Sequence, residues 1–178
     1  LESILPRMAS ANAYLGADAI VEALASDAPI VITGRVADPS LFVAPVLHAF
    51  GWSYDDYAKL AQATAAGHLL ECAGQVSGGY FADPGVKDVP ALARLGFPFA
   101  DVSADGDVVI GKVVEAGGRV DRQTCTEQLL YEVDDPSRYI TPDCVLDMSD
   151  IRFSEIGRDR VRVGGARARS RTPTYKVS

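Results

Sequence analysis

A chain of 178 residues with 48% hydrophobic and 23% charged content can bury one substantial core or two small ones, which excludes a disordered class. Its net charge of -7 argues against a nucleic-acid partner, and no apolar run is long enough to span a bilayer. Three widely spaced cysteines, Cys72, Cys125 and Cys144, suit neither a disulfide framework nor a Cys-only zinc site, and no signal-peptide pattern opens the sequence, so a cytoplasmic location is expected.

In chain order, the first predicted element is a helix over 13–25 with Asn12 as its cap and Ile20, Val21 and Leu24 on one side. The uninterrupted apolar run Ile30-Val31-Ile32 predicts a parallel strand covered on both faces. Asp38 as a cap, Pro39 at the first helical position and Gly51 as a stop predict a helix between them. Ser53 and Asp56 carry a weaker capping pattern for a helix reaching about Cys72. FPFADVS and DVVIGKVV, on either side of Asp105-Gly106, predict a β-hairpin. Thr124 and Glu127 form a capping box for TEQLLYEV, and everything after Ile140 reads as strand-rich.

The fold class is therefore α/β: a partial parallel sheet with flanking helices, then a β-hairpin and a strand-rich C-terminal portion. A composition shift divides it into an α/β core over 1–140 and a strand-rich basic segment over 141–178. Residues 151–178 hold eight cations against Glu155 and Asp159. Arginines at 158, 160 and 162, and at 167, 169 and 171, alternate as on one strand face, facing solvent, acidic parts of the protein or an anion. A parallel strand needs neighbours, and only one helix precedes IVITGR. That mismatch predicts a fragment whose missing N-terminal strands, or another copy of the chain in a homo-oligomer, complete the sheet.

His68, Glu71 and Cys72 are spaced three and four apart, so they share a helical face beside a glycine-rich loop. Imidazole and carboxylate together suit a divalent metal or proton transfer, which makes His68 and Glu71 both catalytic and metal-ligand candidates. The structural alternative is a buried histidine bonded to Glu71 for mutual satisfaction. Cys72 reads as core filler. Arg35 follows Thr33-Gly34 at the carboxyl end of the predicted strand, where open α/β sheets bind ligands; a guanidinium there grips a carboxylate or phosphate, or pairs with Asp38. Asn12 and Asp38 are helix caps first and substrate ligands second. Gln75, Ser77, Gly78 and Gly79 form a loop that either cradles an oxyanion with its backbone N–H groups or is a plain turn.

The segments ANAYLGADAIVEAL, IVITGRVADPSLFVAP, FGWSYDDYAKLAQATAAGHLLECAGQVSGGYFADP, LARLGFPFADVSADGDVVIGK and GGRVDRQTCTEQLLYEVDDPSRYITPDCV together resemble the acyclic terpene utilisation AtuA family over nearly the whole chain. VIGKVVEAGGRVD departs from the family's Pro-Gly-Thr-Gly-Gly-like segment, so no role carries over to Gly117 or Gly118. The resemblance implies a missing N-terminal α/β quarter and catabolism of branched substrates as coenzyme A thioesters. It also implies a carbon–carbon lyase acting on a 3-hydroxy-3-branched glutaryl thioester, with a small acyl thioester or carboxylate as ligand. The competing expectation is a non-catalytic assembly module that contributes sheet edges to a larger complex.

Overall fold

The computed structural model describes residues 2–178. At its centre lies a helix, α3 (Tyr57–Leu70), ten of whose fourteen residues are buried. A helix apolar on all sides has no solvent face to keep, so it becomes the axis around which other elements pack. The elements before it are α1 (Asp18–Leu24) and α2 (Ser40–Phe50). After it come β1 (Pro98–Val102), β2 (Val108–Lys112), α4 (Arg122–Leu129), β3 (Tyr139–Ile140), β4 (Val145–Asp147), β5 (Arg152–Gly157), β6 (Arg160–Gly164) and β7 (Arg167–Arg169).

The strands form two antiparallel sheets, one ordered β1-β2-β6-β5 and one ordered β3-β4-β7. α3 packs against α2, α4 and strands of both sheets. Val108 and Ile110 on β2 and Val161 and Val163 on β6 point inward, while Arg162 between them is exposed; alternation along the strand produces both faces. Because β6 inserts between β2 and β5, the strand-rich residues from 141 onward contribute Val161 and Val163 to the same core as α3.

The predicted hairpin is present as β1 and β2, with Gly106 at φ +92° in its turn. Gly51 ends α2 in the left-handed region at φ +62°, the conformation glycine adopts without a Cβ penalty. Two elements differ from expectation. The first helix begins at Asp18, because residues 12–14 pair instead with the other end of the chain: Asn12 N–H donates to the Ser178 carbonyl at 2.7 Å and Ser178 N–H returns a bond at 3.0 Å. Asn12 is thus not a cap. Nor does the parallel strand form: among the described residues, the pairing near IVITGR is one parallel bridge between Leu15 and Val36, and Ile30 and Ile32 are 77% and 90% exposed. An apolar run becomes a strand only when neighbouring backbone satisfies its N–H and C=O groups.

Capping also shifts. α2 starts at Ser40 without a side-chain cap from Asp38. Asp56, not Ser53, caps α3 by accepting from Lys59 N–H at 3.3 Å. α4 starts earlier than its predicted box: Asp121 accepts from the Gln123 and Thr124 N–H groups, and Thr124 Oγ1 accepts from Asp121 N–H at 3.1 Å. Three of the six alternating arginines find acidic partners elsewhere in the chain, Arg160 with Asp101, Arg167 with Asp147 and Asp150, and Arg171 with Asp18.

Candidate active site

The buried end of α3 places His68 and Glu71 in different surroundings. His68 is 1% exposed, and its Nε2 donates to the Leu129 carbonyl at 3.1 Å, with the ring 5.0 Å from that of Tyr139. Burial lowers its pKa, keeping it neutral. Its hydrogen-bond partner is therefore the last residue of α4, and not Glu71 as the mutual-satisfaction alternative required. Nδ1 is buried without a partner among the described residues. Also among the described residues, no group of three or more His, Cys, Asp or Glu side chains is arranged to hold a metal ion.

Glu71, just past the last turn of α3, instead lines a cavity of about 280 Å³ together with Asp38, Glu132, Tyr139 and Lys176. Burial raises its carboxyl above the ordinary range, and the charges of Asp38 and Glu132 push the same way. Neighbouring Cys72 is driven up to about 12 by burial and by Glu71, so it stays a thiol, but it is half-buried at the edge of the core and not inside it as expected. Tyr139 is likewise raised, by burial first and then by the Glu71 charge. Glu132 sits at φ +56° in the turn after α4, a backbone state that is uncommon for a non-glycine residue and recurs where side chains are held for function.

Arg35, Asn12 and Asp38 line an adjoining cavity with Thr33 and Gly34. The Leu15 N–H bonds to the Arg35 carbonyl at 3.3 Å, and the Arg35 guanidinium lies 5.3 Å from the centre of the Tyr14 ring. Lys176 lies 5.1 Å from the same ring, brought there because Tyr14 N–H donates to the Lys176 carbonyl at 3.0 Å. The ring quadrupole attracts both cations. Among the described residues neither Arg35 nor Lys176 joins a carboxylate in an ion pair, so the alternative partnership of Arg35 with Asp38 is not formed. Lys176 thus lines the same cavity as the raised Glu71 carboxyl, Arg35 lines the adjoining one, and Asp38 borders both.

The glycine-rich loop lies apart from this arrangement. Gly78 N–H donates to Gln75 and Gly79 N–H to Gly74, both at 3.0 Å, and the Ser77 carbonyl accepts from Arg119. A Cβ on Gly78, at φ +108°, would lie 2.8 Å from Val89 Cγ1. With these N–H groups spent internally, the loop is a packed turn; Gln75, Ser77, Gly78 and Gly79 do not line the Glu71 cavity. Of the sequence candidates, Glu71, Asp38, Arg35 and Asn12 are brought into adjoining cavities and His68 is placed behind Tyr139. Tyr14, Glu132, Tyr139 and Lys176 were missed. The chain carries no local signal for Lys176, which reaches the site only through the pairing of residues 12–14 with 176–178.

A family model described as acyclic terpene utilisation family protein AtuA matches residues 1–178. No curated protein and no solved structure matches the chain. Among the described residues no helix is long and apolar enough to cross a membrane.

Proposed function

The chain belongs to the acyclic terpene utilisation AtuA family, and from that premise we propose that it is an enzyme breaking a carbon–carbon bond in a 3-hydroxy-3-branched glutaryl thioester. The observation that carries this reading is Glu71, a carboxyl raised by burial, in a cavity that Lys176 also lines. Glu71 removes the proton of the tertiary hydroxyl. The alkoxide becomes a ketone as the bond to the carboxymethyl arm breaks, and the electron pair left on that arm takes up a proton to give acetate. A carboxylate with raised pKa is better matched to the hydroxyl proton than an ordinary one. Arg35 and Lys176 hold the carboxylate of the departing arm and offset its growing negative charge.

Replacing Glu71 by Gln in the whole protein keeps size and hydrogen bonding but removes the base. Acetate release from such a thioester should fall by about 100-fold or more, with the unfolding temperature at neutral pH unchanged or raised, since the amide carries no buried charge. A Gln variant as active as the parent would refute the role of Glu71. One observation favours the second reading, an assembly module: the exposure of Ile30 and Ile32. Turnover of the thioester by the unaltered protein would dismiss it.

A further inference from the structure

Breaking the carbon–carbon bond leaves an electron pair on the carboxymethyl arm, and an acid must stand within reach to complete acetate. Most side chains that line the Glu71 cavity are committed elsewhere. Asp38 and Glu132 carry the negative charges that raise Glu71, so they have no proton to give. Thr141 Oγ1 donates to the Cys144 carbonyl at 2.9 Å. Tyr14 accepts from Ser178 Oγ at 3.3 Å, and its ring faces Arg35 and Lys176. The Lys176 ammonium, on losing a proton, would cease to offset the growing charge. His68 and Cys72 lie outside the cavity.

Tyr139 differs from all of these. Pairing with Leu146 on β4 fixes its backbone, and the side chain lines both the Glu71 cavity and a wider one of about 550 Å³ beside it. Its hydroxyl has no hydrogen-bond partner among the described residues, yet it is not one of their enclosed orphan groups, so it opens onto the cavity. Resting on the function proposed above, we propose that Tyr139 is a second catalytic residue, the acid that delivers a proton to the departing carboxymethyl carbon. Glu71 takes the proton of the tertiary hydroxyl, the oxygen becomes that of the ketone, and the pair from the broken bond takes the phenol proton as the new C–H bond of acetate. Burial first, and then the charges of Glu71 and Asp38, keep the phenol protonated at rest. A carbanion is far more basic than a phenolate, so the transfer runs downhill even from a weak acid. Because the phenol is a weaker acid than the Glu71 carboxyl, the proton then returns from Glu71 to Tyr139. The cycle neither consumes nor releases a proton.

The test is Tyr139→Phe in the whole protein, with acetate release from 3-hydroxy-3-methylglutaryl coenzyme A as the readout. Phenylalanine keeps the ring and removes no hydrogen bond, so the unfolding temperature should not change. The kcat should fall by about 100-fold with KM within about twofold. At fixed pH the residual rate should rise with the concentration of imidazole buffer, whose cation enters from the wider cavity and replaces the lost acid, while the parent rate should not. A Phe variant as fast as the parent, or one slowed without buffer dependence, would overturn the proposal, the second outcome marking Tyr139 as structural. Buffer dependence in Lys176→Gln, with none in Tyr139→Phe, would overturn it by assigning the acid to Lys176. No acetate release by the parent, or a fully active Glu71→Gln protein, would instead refute the bond-breaking reading on which this role rests.

Discussion

His68 donates to a backbone carbonyl that has no other donor close by among the described residues, so its loss is felt as an unsatisfied buried acceptor. His68→Leu should destabilise the fold by about 1–3 kcal/mol and leave turnover of the folded fraction unchanged, because the ring lies outside the Glu71 cavity. The pH dependence has a definite sign. Burial depresses the folded pKa below the ordinary 6.5, so on acidification the unfolded chain takes up this proton first. Stability from this residue is complete above that value and is lost as pH falls through it toward the folded pKa. Glu71 and Asp143, both raised by burial, act oppositely: as pH rises through their ordinary values near 4.5 and 3.8, the unfolded chain releases protons first and stability declines. The His68 contribution is therefore isolated by subtraction. Urea unfolding of the parent and His68→Leu proteins from pH 7.5 to 5.5 should show their stabilities converging as the acid loss in the parent proceeds. Parallel curves would contradict the buried, neutral assignment.

At the level of elements, α3 crosses the start of α2 closely because Gly67 has no side chain. A Cβ there would lie 2.6 Å from the Pro39 carbonyl oxygen. Two effects compete in Gly67→Ala: helix propensity favours alanine by about 1 kcal/mol, while overpacking in a core costs about 1–3 kcal/mol. The clash is with backbone, which cannot rotate away, so the variant should be net destabilised by about 1–2 kcal/mol in chemical denaturation. Asp38, next to Pro39, should shift with it and weaken binding at the cavities it borders. A stabilised Gly67→Ala protein would show that the helices are further apart. The same scale explains what the sequence disclosed. Elements fixed by their own residues were legible, including the end of α2 at Gly51 and the β1–β2 hairpin around Gly106. Capping patterns were ambiguous because Asp121-x-x-Thr124 and Thr124-x-x-Glu127 have the same spacing, and only the backbone settles which one acts. IVITGR failed as a strand since pairing depends on distant segments. That Glu71 and Arg35 would border cavities was legible from residue type beside a helix end and a glycine. Tyr14, Glu132 and Lys176 were not, because their proximity is tertiary.

For the molecule as a whole, the adjoining cavities depend on one buried carboxylate that ties together segments far apart in sequence. Asp143 Oδ1 accepts from the Ala17 N–H at 2.7 Å at the start of α1, and Oδ2 accepts from Ser40 Oγ at 2.5 Å at the start of α2. Gly16 is required beside it, since a Cβ there would sit 2.5 Å from Oδ1. Thr141 and Pro142, immediately before Asp143, wall the Glu71 cavity, and Leu15, just before Gly16, bonds the Arg35 carbonyl. Asp143 thus ties the wall of the Glu71 cavity to the segment that bonds Arg35 and to the start of α2, while lining neither cavity. Asp143→Ala leaves a buried N–H and a buried hydroxyl without acceptors and should cost about 2–4 kcal/mol, at about 1–3 kcal/mol for each orphaned group with partial relaxation. Asp143→Asn retains one acceptor oxygen and should cost roughly half as much. Because the lost bonds hold the start of α2 to the cavity wall, affinity for acetate, the acid released in the proposed reaction, should fall in the same order at temperatures where each variant is still folded. Thermal unfolding combined with calorimetry checks both parts. An Asp143→Ala protein of normal stability would reject the tie itself, and one that is destabilised yet binds the acid normally would show that the cavities hold their shape without it.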